Sequence, residues 1–148
     1  MYLLDTNHCG RIIQGDSIVL QAIMSRRNAG IALSVIVQGE LLFMAENSDR
    51  KAENLDQVQT FLSLFDLYPI SDPISRTYGQ LKATLLNTFG PKNRVQRRTT
   101  RIQALGMDDN DLWIAATALQ HGLILVTADR DFDRIQQVCN LQLESWIA

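Results

Sequence analysis

The chain has 148 residues, of which 46% are hydrophobic and 20% charged, and its formal net charge is −2 at pH 7. This length fits one domain, residues 1–148, and the composition is typical of a globular protein rather than a disordered one. Two distant cysteines and two unpaired histidines argue against a disulfide framework and a structural zinc site. Since no apolar run approaches the length of a membrane span and no signal sequence opens the chain, we expect a cytoplasmic protein that does not contact a membrane.

The first half of the chain alternates between strand and helix patterns. Residues 2–4 form a short apolar run that ends at Asp5, and residues 17–27 carry apolar side chains at helical spacing. Residues 31–37 are a continuous β-branched run, which is typical of a strand covered on both faces. Glu40 comes directly after this run and opens a helical stretch.

The second half continues the alternation. We predict, in order, a helix at 55–64, a strand at 67–70, a helix at 72–87, a helix at 111–120 capped by Asp109 and Asn110, a strand at 123–127 and an edge strand at 141–143. Strands that alternate with helices predict an α/β fold, with a mostly parallel sheet and helices on both faces.

Residues 90–106 are polar, basic and weakly periodic, so we predict a long exposed loop there. The loop can be either a solvated, partly disordered segment or an arm that binds the phosphates of a polyanion such as a nucleic acid. Aromatic residues are absent from the basic part, which argues against base stacking. The basic candidates for this binding are Lys92, Arg94, Arg97, Arg98 and Arg101.

Four acids fall at the ends or starts of predicted elements. Asp5, Glu40 and Asp129 follow strands, and Asp111 lies in the first turn of a helix. Each alone has an ordinary explanation as a cap, a turn residue or a solvated acid. Together they converge on the crevice at the carboxyl ends of the strands, where clustered carboxylates favour a hard cation such as Mg²⁺. This pattern predicts a metal-dependent nuclease.

The segments that carry these acids resemble the four signature blocks of the PIN-domain family, and most of all its VapC-type toxins. They read LLDTN at 3–7, SVIVQGEL at 34–41, NDLWIAA at 110–116 and LVTAD at 125–129. The resemblance implies a PIN-like three-layer α/β/α fold with a central sheet of four or five mostly parallel strands. It also implies a Mg²⁺- or Mn²⁺-dependent endoribonuclease that acts as the toxin of a toxin–antitoxin pair, forms a homodimer and is blocked by a cognate antitoxin.

Carried over by matching position, the resemblance assigns the acidic metal ligands and catalytic residues to Asp5, Glu40, Asp111 and Asp129. It assigns Asn7 and Thr127 to supports that orient the ligands or a bound water. Asp109 is a further candidate support. The RNA that is cut stays open, with tRNA, rRNA and mRNA as alternatives.

Three alternatives compete with this interpretation. A haloacid-dehalogenase-type phosphatase needs a second aspartate two residues after the first, where this chain has Asn7. A receiver-like domain needs a lysine after a late strand, and the last lysine here is Lys92. The third is a catalytically inactive PIN-like module that binds RNA or protein, against which the presence of all four acids weighs.

Overall fold

Five short parallel strands form the central sheet of the structure, a computed structural model that describes residues 1–147. The strands are β1 (Tyr2–Leu4), β2 (Ile31–Ser34), β3 (Asp66–Tyr68), β4 (Ile124–Val126) and β5 (Gln142–Glu144). Their spatial order is β3-β2-β1-β4-β5, and every neighbouring pair is parallel. The prediction of a parallel sheet with four or five strands is thereby confirmed, with five strands and β5 at one edge.

In the described residues, 1–147, eight α-helices connect or flank the strands. They are α1 (Thr6–Ile13), α2 (Ser17–Arg26), α3 (Val35–Glu46), α4 (Lys51–Leu62), α5 (Asp72–Phe89), α6 (Arg94–Thr99), α7 (Asp109–His121) and α8 (Asp131–Gln136). Right-handed crossovers place α1 to α4 on one face of the sheet and α5, α7 and α8 on the other. The packing agrees, because α1 and α3 contact α4, whereas α7 contacts α5 and α8.

The centre of the core is strand β1. Its neighbouring residues Leu3 and Leu4 point to opposite faces of the sheet, and both are 0% exposed. A strand covered on both faces explains the continuous apolar run in the sequence. Among residues 1–147, no helix combines the length and apolarity that are needed to cross a lipid bilayer.

The order of the strands creates a crevice. From β1 the chain moves outward through β2 to β3, then crosses back to β4 on the other side of β1. The carboxyl ends of β1 and β4 therefore flank the switch point at which ligands bind in open α/β sheets. Asp5 follows β1 directly, and its backbone N–H extends the ladder to Val126 O at 3.1 Å.

The predicted strand at 31–37 is wrong in its second half. β2 ends at Ser34, whose hydroxyl accepts a hydrogen bond from the backbone N–H of Val37 at 3.2 Å and so caps α3. Capping and burial override the strand preference of the β-branched residues that follow. As a result, Glu40 lies in the second turn of α3 rather than directly after a strand.

The segment at 90–106 is largely exposed, as predicted, but the prediction that it is a loop is wrong. Asn93 caps α6 by accepting hydrogen bonds from Val95 N and Gln96 N, and a 3₁₀ turn follows at Ile102–Leu105. Ile102 is only 1% exposed, which fixes the end of the segment to the core. Helix α6 itself has no buried residue, so its basic side chains stay at the surface.

Candidate active site

The four predicted acids line one cavity of about 400 Å³ at the carboxyl end of the sheet. They reach it from four separate parts of the chain. Asp5 and Asp129 follow the ends of β1 and β4. Asp111 lies in the first turn of α7, and Glu40 lies in the second turn of α3. The convergence expected from the topology is therefore present in the structure. Asp5, Glu40, Asp111 and Asp129 make up the acidic wall, a name used below for these side chains.

Asp5 is the most buried member of the acidic wall, with 5% exposure. It caps α1 by accepting a hydrogen bond from the backbone N–H of His8 at 2.8 Å. The imidazole Nδ1 of His8 lies 2.8 Å from the same oxygen, Oδ1. A carboxylate at a helix N-terminus is favoured by the free N–H groups there, so this acid is fixed in place.

Glu40 is held by two donors from other segments. Thr6 Oγ1 donates to its Oε2, and Asn110 Nδ2 donates to its Oε1 at 2.9 Å. Thr6 opens α1 and Asn110 belongs to the first turn of α7, so the glutamate connects three helices around the cavity. Sequence reasoning missed both donors, although each is a direct neighbour of a predicted acid.

Asp111 carries the clearest electrostatic signal. Burial raises the pKa of its carboxyl from 3.8 to about 7, and the negative charges of Asp129, Asp108 and Glu40 add to the rise. Carboxylates that face one another in a partly desolvated site resist ionising together. A perturbed acid in a cleft is typical of a functional site, and a cation between the acids would remove the repulsion.

Asp129 is ordered by the turn that follows β4. Its backbone N–H donates to Thr127 Oγ1 at 3.0 Å, and its Oδ1 accepts from the N–H of Asp131 at 2.9 Å. Thr127 thus contacts the backbone of the acid rather than its carboxylate. The remaining oxygen of Asp129 is left for the cavity, which this residue lines.

The two other predicted supports differ from each other. Asn7 lines the cavity. Asp109 faces away from it: its Oδ1 accepts hydrogen bonds from Tyr78 Oη at 2.6 Å and Lys82 Nζ at 2.8 Å. Neighbouring residues at a helix start point in different directions, so Asp109 joins α7 to α5 while Asp111 faces the site. The structure therefore gives Asp109 partners on α5 and does not place it among the residues that line the cavity, so its support of a metal stays a prediction.

The rim of the cavity is apolar. Phe43 and Met44, on α3, line it and are 67% and 57% exposed. The sequence pattern did not identify either residue as part of the site. Cys9 lies behind Asp5 and is fully buried, and burial raises the pKa of its thiol. A buried thiol of this kind is a packed residue rather than a nucleophile.

The donor set suits a hard cation. All four members of the acidic wall offer carboxylate oxygens, the ligands that Mg²⁺ and Mn²⁺ prefer. Within residues 1–147, no group of three or more His, Cys, Asp or Glu side chains stands at metal-ligating geometry. The acidic wall therefore fits an ion that takes one or two protein carboxylates and completes its shell with water and phosphate, as Mg²⁺ commonly does.

Comparison with known proteins identifies the fold. The sequence model of the PIN domain matches residues 2–138. The chain belongs to the PIN-domain family. Ribonuclease VapC2 of Rickettsia felis is 31% identical to it over 149 residues, covering 99% of this chain and 98% of that protein. The tRNA(fMet)-specific endonuclease VapC of Shigella flexneri is 25% identical over 146 residues, covering 98% and 97%.

A solved structure agrees with this assignment. In the crystal structure of VapBC2 from Rickettsia felis, bound to a DNA fragment from their promoter, one chain superposes with a TM-score of 0.78 at 26% identity. The alignment covers 99% of this chain and 98% of that one. The resemblance to VapC-type PIN domains, inferred from four short blocks, is confirmed over the full length, and so is the PIN-like α/β/α fold.

Proposed function

We propose that this PIN domain is an endoribonuclease that depends on Mg²⁺ or Mn²⁺ and acts as the toxin of a toxin–antitoxin pair. The observation that carries the proposal is the convergence of Asp5, Glu40, Asp111 and Asp129 on one cavity of about 400 Å³. Relatives that match almost the whole chain are named ribonucleases, which supports RNA as the substrate class.

In this proposal, Asp5 and Asp111 hold the ion directly. Asp5 has one oxygen fixed by His8, and the repulsion at Asp111 is relieved when positive charge enters the cavity. When bound, the ion lowers the pKa of water and neutralises charge that develops on the phosphodiester. Because Mg²⁺ needs few protein ligands, two carboxylates are sufficient.

Glu40 and Asp129 complete the wall on either side. Each already accepts hydrogen bonds from protein donors, which fix the direction of its remaining lone pairs. We assign them to orienting water around the reacting phosphate, an arrangement in which fixed carboxylates need no reorganisation during the reaction. We assign Asn7, which lines the cavity, to donate to a phosphate oxygen.

We further propose that α6 and its flanks bind the RNA backbone beside the cut. Lys92, Arg94, Arg98 and Arg101 are exposed. Arg97 donates to the backbone carbonyls of Pro91 and Lys92, at 3.3 and 3.1 Å, and so also shapes the turn before the helix. A basic surface of this kind supplies affinity that falls with salt and carries no sequence information.

The proposed partners of this chain, an antitoxin and a second copy of the chain, are inferred from its similarity to VapC proteins. The related VapBC2 structure contains a complex bound to promoter DNA. We propose that this chain likewise forms a homodimer and is held inactive by a cognate antitoxin until that protein is removed. A purified sample must therefore be free of antitoxin before its activity is measured.

Cleavage of RNA by the antitoxin-free protein, in Mn²⁺ and in EDTA, tests the proposed function. Initiator tRNA is the first substrate to use, because one relative is named for it, and total RNA with 5′-end sequencing covers the others. We expect cleavage in Mn²⁺ or Mg²⁺, none in EDTA and recovery when the metal is returned. Equal cleavage in EDTA contradicts metal dependence, and absence of cleavage with every RNA and metal favours the catalytically inactive binding module.

A further inference from the structure

His8 is a buried histidine for which the proposed mechanism has no direct use. It lies one helical turn beyond Asp5 and is 0% exposed. A buried imidazole needs partners for both ring nitrogens, because an unpaired polar atom in the core is costly. Both partners are present, and they come from opposite ends of the chain.

The two partners determine which ring nitrogen carries the hydrogen. Nε2 of His8 lies 3.3 Å from the backbone nitrogen of Trp146, which can only donate, so Nε2 accepts. In the neutral ring the hydrogen then belongs to Nδ1. Nδ1 lies 2.8 Å from Oδ1 of Asp5 and donates to it.

This hydrogen bond sets the rotation of the Asp5 carboxylate. Oδ1 receives two hydrogen bonds, from the backbone N–H and from Nδ1 of His8, both at 2.8 Å. Oδ2 of Asp5 has no hydrogen-bond partner among residues 1–147. Every fully buried side-chain oxygen in these residues has a partner, so Oδ2 is not fully buried. Oδ2 is therefore the oxygen that Asp5 presents to the cavity.

Trp146, which holds the far side of the imidazole, is itself anchored. Its ring packs edge-on against Tyr2 at 5.3 Å between centroids, and its Nε1 donates to Glu144 Oε1 at 2.9 Å. The guanidinium of Arg26 lies 5.0 Å above the indole and pairs with the same glutamate oxygen. These contacts fix the segment after β5, so the Trp146 amide is a rigid support for His8.

We propose that His8 is a positioning residue for Asp5: supported by the Trp146 amide, its Nδ1–H holds Oδ1 inward and directs Oδ2 at the cation. The C-terminal segment thereby contributes to a site whose lining residues lie between positions 5 and 132. The inference rests on the proposed function, since the site must bind a divalent ion. Polar groups that orient a metal ligand typically change affinity or activity by about 10- to 100-fold when lost.

Two amide substitutions separate the two hydrogen bonds of the imidazole. His8→Asn places an amide N–H near the position of Nδ1 and keeps a donor for Asp5. His8→Gln places the amide near the position of Nε2, so it keeps an acceptor for Trp146 and loses the donor to Asp5. Because both variants put an uncharged amide in the same buried space, thermal unfolding of each in EDTA measures the purely structural cost.

Titration with Mn²⁺ in the absence of RNA supplies a measurement other than activity. We expect His8→Gln to bind Mn²⁺ about 10-fold or more weakly than the original protein and to lose a similar factor in kcat, with KM for RNA unchanged. His8→Asn should recover Mn²⁺ affinity to within about 3-fold. Equal Mn²⁺ affinity in the original protein and His8→Gln would overturn the proposal, as would losses that follow Tm alone in both variants.

The tautomer gives an independent spectroscopic test on the metal-free protein. Long-range ¹H–¹⁵N correlation spectra distinguish a protonated ring nitrogen from a bare one. The chain has only two histidines, so His121→Asn, at an exposed position, identifies the His8 signals. We expect the hydrogen on Nδ1; a hydrogen on Nε2 would contradict the geometry.

The Mn²⁺ titration separates failure of this inference from failure of the proposed function. If the original protein binds no Mn²⁺, the proposed function is overturned. If the original protein and His8→Gln bind Mn²⁺ with equal affinity, only the inference about His8 is overturned.

Discussion

Asn110 Nδ2 donates to Glu40 Oε1 at 2.9 Å across 70 residues of sequence. The contact connects α7, which carries Asp111, to α3, which carries Glu40. Two helices that lie on different faces of the sheet are thereby joined at the mouth of the cavity. The relative placement of two members of the acidic wall depends on this amide.

Asn110→Ala removes this donor and leaves the charge of the site unchanged. The backbone N–H of residue 110, which donates to Asp108 Oδ1, is retained, so α7 keeps its cap. We expect kcat/KM for RNA to fall about 10-fold, because Glu40 loses one of the two donors that orient it. Asn87→Ala, at an exposed position of α5, is the matched control. Full activity in Asn110→Ala would show that the contact does not order the site.

Asp111 should make the stability of the metal-free protein depend on pH. Its pKa is about 7 in the folded state, against 3.8 unfolded, because of burial and the neighbouring charges. A raised pKa in the folded state means that folding favours the protonated carboxyl over the ionised one. This contribution is fully present below pH 3.8 and is lost as pH rises through about 7.

Asp111→Asn removes that dependence. In EDTA we expect the variant to gain about 1 kcal/mol over the original protein at pH 8.5, after allowance for screening by solvent, or about 3 °C in Tm. The difference should shrink steadily as the pH falls and should be small near pH 3.8. Thermal unfolding across this range measures the effect, with Asp133→Asn, an exposed acid of α8, as control. Parallel pH profiles for Asp111→Asn and the original protein would mean that Asp111 ionises without repulsion.

Helix α6 can be tested for RNA binding through salt dependence. Arg94 and Arg98 are exposed, whereas Arg97 also holds the preceding turn, so the double variant Arg94→Ala/Arg98→Ala disturbs the fold least. If each contacts a phosphate, the slope of log K against log salt should fall by about 1.4 for single-stranded RNA.

The control for α6 removes the same charge elsewhere. Arg27→Ala/Arg50→Ala changes two exposed arginines outside α6, and the slope should stay close to that of the original protein. Fluorescence anisotropy at several KCl concentrations, in EDTA to prevent cleavage, gives the slopes. Equal slopes for the two double variants would assign α6 to the solvated surface.

Asp109 should behave as a structural residue. Lys82 and Tyr78 donate to its carboxylate and lower its pKa, so this contribution to stability is present above pH 3.8 and is lost as pH falls through the folded pKa. Asp109→Asn should cost about 0.5–1 kcal/mol at pH 7, since the ion pair is partly exposed, and leave Mn²⁺ affinity unchanged. Calorimetric titration with Mn²⁺ decides this, because a loss of affinity would restore Asp109 as a support of the metal.

Short sequence patterns were sufficient to predict which acids lie at the carboxyl ends of the strands. Apolar runs located β1 and β4, and parallel strands bring Asp5 and Asp129 to one edge of the sheet. The first turn of α7 was located by its acids, although the helix begins at Asp109, with Asp108 as its cap. These features depend on short stretches of sequence, so periodicity and capping preferences reveal them.

The contacts that orient the acids could not be predicted in the same way. Thr6 and Glu40 are 34 residues apart, and His8 and Trp146 are 138 apart, so no local pattern pairs them. The start of α3 was missed because a β-branched run favours a strand when considered alone. Ser34 and the packing of Val37 in the core decide for a helix, an effect of tertiary context.

The central claim is that the acidic wall catalyses metal-dependent RNA cleavage, and Asp5→Asn tests it most directly. Asparagine caps a helix as well as aspartate and can still accept from the His8 N–H, so the variant changes charge with little effect on the fold. Asp72→Asn, at an exposed position of α5, is the control. With circular dichroism and Tm unchanged, we expect Asp5→Asn to lose RNA cleavage in Mn²⁺ and Asp72→Asn to retain it. Cleavage by purified Asp5→Asn at the rate of the original protein would contradict the account.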